Sequence, residues 1–298
     1  MKKLLMLLML LTLATDAWAK TQSGTIAMAF DLTSQKAGEE VSLWIPYPVS
    51  DLNQTIANVK YAGDYAEAGV YTDRAYQTPM LYVRWDKAAK TRILNFSFDA
   101  ERSEVEHRDL PTSEGAWNPA DFAQWLKATS LGPIDGEVKK LADKITEGKT
   151  GVQAKAHAIY DWICDNMFRD PDTHGCGPGD VCALLLRPGG KCADIHSVFV
   201  SLARAAGVPA REIFGIRQGK EGATDISSWQ HCWAEFYLPG YGWVPVDPAD
   251  VRKMMLTQKL KLEDDKTAEY RRYYWGGIDP YRVKLSIGRD LVLGPPQQ

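Results

Sequence analysis

The sequence has no surplus of positive charge, no internal repeat and, beyond its first twenty residues, no apolar run long enough to span a membrane. Its 298 residues carry 35 Lys and Arg against 38 Asp and Glu, a formal net charge of −3. We therefore expect no nucleic-acid partner, because there is no excess of cations to neutralise phosphates. The composition, 45% apolar and 24% charged, is typical of a folded chain long enough for two domains or one elaborated domain.

The first nineteen residues have the pattern of a secretory signal. They begin with two lysines, run apolar from Leu4 to Leu13 and end in a small-x-small triplet at 17–19. The apolar run is about half of the ~20 residues that a membrane-spanning helix needs, which favours a cleaved signal over an anchor. We expect cleavage after Ala19, export to the periplasm and no stable membrane span.

The cysteines include no Cys-x2–4-Cys pair of the kind that structural zinc sites use, so we expect no metal ion and no cofactor. In an oxidising compartment most cysteines pair, but an odd number cannot all pair within one chain, so one is free, pairs between chains or is kept for chemistry. We expect disulfides among four of them and favour a bridge involving Cys176, while three full pairings remain open. These four are Cys164, Cys176, Cys182 and Cys232.

The periodicity of the apolar residues changes along the chain from strand-like to helical and back to strand-like, which predicts an α+β fold. Residues 20–115 form a predicted β-rich domain, a small sandwich. Residues 116–255 form a predicted core of helices followed by strands, and residues 256–298 form a predicted C-terminal extension that packs on this core. The N-terminal strands are predicted from four short runs rich in β-branched and aromatic residues: 25–30, 41–45, 80–85 and 93–98.

Cys192 is the first candidate catalytic residue. Gly189 and Gly190 lead into a predicted helix with an apolar face, which places Cys192 at or near its N-terminus. Unpaired backbone N–H groups and the positive end of the helix dipole favour an anion there, so a thiol is shifted towards the reactive thiolate. Position alone leaves two other interpretations of Cys192 equally open, a small buried apolar residue or half of a disulfide.

A predicted hairpin supplies a histidine and a carboxylate. Residues 230–238 alternate as a strand, which places His231 and Cys232 on opposite faces. Turn residues at 239–242 then return the chain as a second strand that ends at Asp247.

Two registers of this hairpin are open. If Tyr237 pairs with Trp243, His231 lies diagonal to Asp247, and if Glu235 pairs with Trp243 the two lie directly opposite. Both registers bring the imidazole within reach of a carboxylate that can hold it in one tautomer.

These motifs resemble the core of the transglutaminase-like superfamily over about a third of the chain, from Val152 to Asp250. The resemblance implies a papain-like α+β core, in which helices pack on an antiparallel sheet. It also implies a triad in which Cys192 is the nucleophile, His231 the general base and then acid, and Asp247 the orienting carboxylate. It rests on the segments Gly190–Asp194, Leu202–Arg211, His231–Trp233 and Gly242–Pro248.

The resemblance implies an exported thiol hydrolase or acyltransferase that cleaves or exchanges a peptide or side-chain amide of a protein or peptide through a thioester on Cys192. The family's animal cross-linking enzymes need calcium. Here the acidic loop starting at Asp170 lacks an acid at its fifth position and has Val181 at its twelfth, so we expect no calcium site. A non-catalytic binding module and a true protein cross-linking transglutaminase are the alternatives. The oligomeric state is left open.

Other residues have rival interpretations. His196, one helical turn after Cys192, competes with His231 as the base but has no evident carboxylate to orient it. Arg204 and Arg211 either bind a substrate carboxylate or, as we favour, support the helix end. Trp162 and the aromatic segment 271–281 are predicted to pack rather than to contact substrate.

Overall fold

The structure, a computed structural model, describes residues 20–297. The predicted signal segment, with its cleavage after Ala19, lies outside the described residues. Within residues 20–297, none of the helices combines the length and the apolar character needed to cross a membrane.

The N-terminal part folds as two three-stranded antiparallel sheets that share one hydrophobic cluster. Its strands are β1 (Thr21–Asp31), β2 (Val41–Pro46), β3 (Gln54–Gly63), β4 (Glu67–Thr72), β5 (Pro79–Trp85), β6 (Ile93–Ser103) and the short β7 (Val105–Glu106). One sheet has the order β1-β6-β3 and the other β2-β5-β4. Phe96 and Phe98 from β6 and Val83 and Trp85 from β5 meet in the shared cluster. The predicted sandwich is therefore confirmed.

The four predicted strand runs lie within β1, β2, β5 and β6, whereas β3 and β4 were not predicted. Both missed strands are edge strands, each paired on one side only. Within β3 only Gln54 is buried, and β4 has no buried residue. An edge strand that buries few side chains lacks the apolar alternation by which strands are recognised.

The rest of the chain forms the α+β core. After a short 3-10 helix at Pro119–Trp125, its elements are α1 (Gly136–Ile145), α2 (Val152–Asn166), β8 (Phe168–Arg169), α3 (Val181–Leu186), β9 (Gly189–Gly190), α4 (Cys192–Ala205), β10 (Ala210–Arg217), β11 (Gln230–Leu238), β12 (Gly242–Val246), α5 (Pro248–Gln258), α6 (Asp265–Tyr274), β13 (Gly277–Ile278) and β14 (Arg282–Ile287). The helices pack on an antiparallel sheet of order β12-β11-β10-β14, as predicted.

Helix α4 is the centre of this core, because every one of its residues is buried. Its apolar side chains join those of β11 and α2 in one cluster, and its two serines donate hydrogen bonds to backbone carbonyls. The helix ends where Gly207 adopts a positive φ of 79°, as its sequence predicts. Because α4 is packed on all sides, the position of its first residue, Cys192, is well defined.

The last strand, β14, completes the sheet from the C-terminal part of the chain. It pairs with β10 on the side away from β11. Val283 of β14 and Ile216 of β10 extend into the hydrophobic cluster of the N-terminal sandwich. This strand also places Arg282 beneath the hairpin that carries His231 and Asp247.

Candidate active site

Cys192 is the first residue of α4 and is 2% exposed. The backbone that enters this helix is held by the Asp194 carboxylate, which accepts hydrogen bonds from the N–H groups of Lys191 at 3.1 Å and Gly179 at 2.8 Å. The N–H of Ala193 donates to the carbonyl of Cys176 at 3.0 Å. The helix start is thus tied to the preceding loop on two sides.

Gly177 in that loop has a positive φ of 88°, and a side chain there would overlap the Asp194 carboxylate. We expect Gly177→Ala to lower the free energy of unfolding by about 1–3 kcal/mol more than Gly175→Ala, measured by urea unfolding. Gly175 is the matched control, because its φ is also positive, at 57°, but nothing lies within 4 Å of an added Cβ. Equal losses in the two variants would show that the loop does not need this close approach.

His231 and Asp247 form a buried pair. In the hairpin of β11 and β12, Tyr237 pairs with Trp243, which is the register that places His231 diagonal to Asp247. The Nε2 atom of His231 lies 2.7 Å from Oδ2 of Asp247. The histidine is 4% exposed and the aspartate 0%. The carboxylate can therefore hold the imidazole in one orientation with its Nδ1 edge free.

That imidazole also lowers the pKa of the Cys192 thiol. The pKa of Cys192 is lowered from the ordinary value of a thiol. Its hydrogen bond with Cys176 and its burial each raise this pKa, but the hydrogen bonds with Cys232 and His231 and the charge of His231 outweigh them. The helix N-terminus acts in the same direction, because it favours a negative charge. The arrangement can supply a thiolate next to an imidazolium.

A family model matches the part of the chain that carries these residues. The model of the family described as "Transglutaminase-like superfamily" matches residues 139–248, a range that includes Cys192, His231 and Asp247. The chain belongs to the transglutaminase-like superfamily.

Two curated relatives and one solved structure extend the comparison. An "Uncharacterized protein" of Haemophilus influenzae is 38% identical over 292 residues, which cover 89% of this chain and 79% of that protein. The Bacillus subtilis protein YebA is 30% identical over 125 residues, 37% of this chain and 17% of that protein. A structure described as a "putative cysteine protease" from Cytophaga hutchinsonii has a TM-score of 0.57 at 17% identity, over 91% of this chain and 84% of that one. At this low identity, the structural similarity supports only the fold.

In this member of the superfamily the Asp247 carboxylate has four partners. Besides His231, it accepts a hydrogen bond from the Arg282 guanidinium and one of 2.7 Å from the backbone N–H of Asp250, at the start of α5. His196 lies 3.2 Å from Oδ1. Burial alone would raise the pKa of Asp247, but the charges of Arg282 and His231 hold it well below its ordinary value. Asp247 therefore stays ionised.

Arg282 was not predicted as part of the site. Its side chain is 0% exposed and also pairs with Asp250 at 2.7 Å and Asp279 at 2.9 Å. It lies 35 residues after Asp247, beyond the motifs of the superfamily resemblance. The sequence around Arg282 shows only the alternation of a strand at 282–287. That alternation gives no indication that Arg282 pairs with Asp247.

The expectation for His196 was wrong in one respect. It does have a carboxylate neighbour, since Asp247 lies between the two imidazoles. The sequence could not show this, because the pairing depends on how α4 crosses the hairpin. His231 nevertheless remains the better candidate base, because its distance to Asp247 is shorter, 2.7 Å against 3.2 Å for His196, and because its charge lowers the pKa of Cys192.

The predicted disulfides, including the bridge involving Cys176, are not present, because all five cysteines are free thiols. Instead, the sulfur atoms of Cys176, Cys192 and Cys232 lie within 4.8 Å of one another. Cys164 is buried inside α2, where burial raises its pKa to about 12, and Cys182 is exposed. Three neighbouring thiols, from the loop before α3, from α4 and from β11, lie in this part of the core in place of a disulfide.

Cys232 lies near Cys192 because of the expected alternation along β11. Cys232 packs with Ala234, Phe236 and Leu238 in the cluster that contains α4, whereas Trp233 packs in a separate cluster on the other face of the sheet. The face of β11 opposite Trp233 therefore brings Cys232 to the start of α4.

Of the three neighbouring thiols, Cys176 and Cys192 have lowered pKa values and Cys232 has a raised one. Hydrogen bonds with Cys192 and Cys232 lower the pKa of Cys176 to about 3, while the pKa of Cys232 is raised by its two thiol neighbours. Repulsion between adjacent thiolates allows one negative charge on Cys176 or Cys192 and opposes a second. His231 and the N-terminus of α4 lie at Cys192, which favours that sulfur as its location.

The remaining candidates have supporting roles. Arg204 is buried and donates to the carbonyls of Ala210 at 3.0 Å and Lys127 at 2.9 Å. Arg211 pairs with Glu235 at 2.7 Å and covers the Trp243 ring. Both arginines support the framework, as we favoured. Trp162 packs against the hydrophobic core, and in the aromatic segment Trp275 stacks on Phe236.

Proposed function

We propose that the chain is an exported thiol hydrolase or acyltransferase that acts on a peptide or side-chain amide. Cys192 is the nucleophile, His231 the general base and then acid, and Asp247 the orienting carboxylate. The observation that carries the proposal is the buried 2.7 Å pair of His231 and Asp247 next to a sulfur at a helix N-terminus. Membership of the transglutaminase-like superfamily supports it.

In the first step the Cys192 thiolate attacks the carbonyl carbon of the amide. The carbonyl π electrons move to oxygen, and the tetrahedral intermediate carries the negative charge there. His231, as imidazolium, then gives its Nδ1 proton to the amide nitrogen, and the C–N bond breaks to release ammonia or an amine. A thioester remains on Cys192, and Asp247 stabilises the histidine in its charged form.

In the second step the neutral imidazole removes a proton from water or from an amine, which attacks the thioester. Water gives a carboxylic acid and an amine gives a new amide, and in both cases the sulfur leaves as thiolate. Hydrolysis is the outcome we favour. The Cys192 residue and the Asp247–His231 pair serve both outcomes equally.

The oxyanion needs a donor near the start of α4. The N–H of Ala193 is engaged by the carbonyl of Cys176 at 3.0 Å, so it does not serve this role. The backbone N–H of Cys192 itself, in the first turn of the helix, is the donor that we assign.

The proposal predicts that iodoacetamide alkylates Cys192 at near-neutral pH at least ten-fold faster in the unchanged protein than in His231→Ala. Without the imidazole the thiol loses the charge and hydrogen bond that lower its pKa. Mass spectrometry of peptides resolves labelling at Cys192 from labelling at Cys176 and Cys232.

The matched control for this experiment is His157→Ala, since His157 lies on α2 and pairs with Asp161 at 3.0 Å. It should leave the alkylation rate at Cys192 unchanged. Equal rates in the unchanged protein and His231→Ala would count decisively against an activated thiol.

Export to the periplasm is part of the proposal and rests on the signal-like pattern of residues 1–19. The N-terminal sequence of the protein recovered from cell fractions tests it. Recovery of the intact N-terminus from the cytoplasm would overturn it.

A further inference from the structure

A cavity of about 280 Å³ lies beside His231. Its walls include three cationic side chains, Arg169, Arg217 and Lys253, together with Trp229. The volume suits a single amino-acid side chain rather than a large ligand. Because His231 forms part of the wall, whatever occupies the cavity lies next to the reacting atoms of the proposed mechanism.

The three cations are unequally compensated. Arg217 pairs with Asp250 at 2.5 Å and with Asp279 at 3.6 Å. Arg169 and Lys253 have no carboxylate partner within 4.0 Å in the described part of the chain, residues 20–297. Burial lowers the pKa of Lys253, and the charges of Arg217 and Arg169 lower it further, against the opposing charges of Asp250 and Asp247. Like charges gathered at a half-buried surface oppose folding unless an anion offsets them.

The same segments that carry the candidate catalytic residues position these cations. Arg169 in β8 pairs with Gly190 in β9, two residues before Cys192. Lys253 lies in α5, the helix whose first turn is capped by Asp247. α5 also packs against β8. The cations are therefore fixed relative to Cys192 and His231 by short, regular connections.

We propose that this cavity is a subsite for a carboxylate adjacent to the scissile amide, with Arg169 and Lys253 as the residues that bind it. The inference rests on the proposed function and specifies its substrate class: amides whose neighbouring residue carries a negative charge. That charge comes from an acidic side chain or from a free chain terminus. Trp229 covers the apolar stem of the bound residue.

A pair of alkylating agents tests the subsite without a known substrate. Iodoacetate and iodoacetamide share their leaving group, but only iodoacetate is negatively charged. The rate of Cys192 alkylation by iodoacetate, divided by the rate with iodoacetamide, is therefore independent of the fraction of the thiol that is ionised. We expect the ratio in the unchanged protein to exceed that in the double variant Arg169→Gln/Lys253→Gln by about three- to ten-fold. The difference should shrink in 1 M salt, because screening weakens attraction between exposed charges.

The matched control is Lys259→Gln, which removes an exposed cation at the end of the same helix and should leave the ratio unchanged. An unchanged ratio in the double variant would overturn the subsite. A rate with iodoacetamide that does not depend on His231 would overturn the proposed function instead, so the two failures are distinguishable.

Peptide amides identify the source of the carboxylate. Hydrolysis is compared for peptides with Glu or Gln beside the amide, each with a free or an amidated C-terminus. A higher KM in the double variant for the Glu peptides assigns an acidic side chain, and a higher KM for free C-termini assigns the terminus. The same KM change for neutral, amidated peptides would contradict a carboxylate subsite.

Discussion

Replacing Arg282 with methionine is expected to lower the free energy of unfolding by about 3–5 kcal/mol, which is the usual cost of removing one partner from a buried ion pair. Arg282 is 0% exposed and binds three carboxylates, Asp247, Asp250 and Asp279. Without it, Asp247 and Asp250 remain buried with their main cation removed. Chemical denaturation at pH 7 measures the loss.

The same variant should show a distinct pH dependence. The pKa values of Asp247 and Asp250 are lowered in the native protein, chiefly by positive charges that overcome the effect of burial. Carboxyls with lowered native pKa values contribute stability above their unfolded pKa of about 3.8 and lose it as the pH falls through the native value. In Arg282→Met these pKa values rise, so its deficit should be largest at neutral pH and should narrow below about pH 4.

Arg271→Met is the matched control for Arg282→Met. Arg271 also binds two carboxylates, Asp161 at 2.7 Å and Asp165 at 2.6 Å, but these groups are partly exposed. Exposed pairs contribute about 0–1 kcal/mol, so this variant should unfold at nearly the same denaturant concentration as the unchanged protein. A similar loss in both variants would show that burial does not set the contribution of Arg282.

Local patterns predicted the parts of the fold in which burial follows a simple period. The apolar faces of α2 and α4 and the strongly alternating β6 were recognisable for this reason. Edge strand β4, with no buried residue, was not. The apolar alternation of a strand depends on how many of its side chains are buried, and that burial is set by the folded sheet and not by the local sequence.

For the site, the residues of one hairpin could be predicted and the contacts between distant elements could not. His231 and Asp247 are linked by a short turn, so only two registers had to be considered, and the structure has one of them. Arg282 approaches from β14, and Cys176 and Cys232 approach Cys192 from 16 and 40 positions away in the chain. No spacing rule joins such residues, because their proximity is created by the crossing of α4 over the sheet.

Asp247→Asn should reduce amide hydrolysis by about 10³–10⁴-fold, the size of effect that an acid-to-amide change has in a comparable serine protease triad. An amide keeps the shape of the side chain, but it cannot stabilise the imidazolium, and its NH₂ group can donate to Nε2 and reverse the tautomer of His231. The rate is measured as ammonia or amine release from the peptide amide that the unchanged protein hydrolyses fastest, per mole of folded protein.

Asp250→Asn separates this catalytic effect from a general loss of charge. Asp250 also binds Arg282, at 2.7 Å, but its nearer oxygen is 3.7 Å from Nε2 of His231, against 2.7 Å for Asp247. Both variants leave one carboxylate fewer around the same buried guanidinium, so their stabilities should fall together. If Asp247 orients the base, only Asp247→Asn loses hydrolysis beyond about ten-fold. Equal losses of activity in the two variants would mean that hydrolysis depends on the total charge of the buried cluster and not on the orientation of the His231 imidazole.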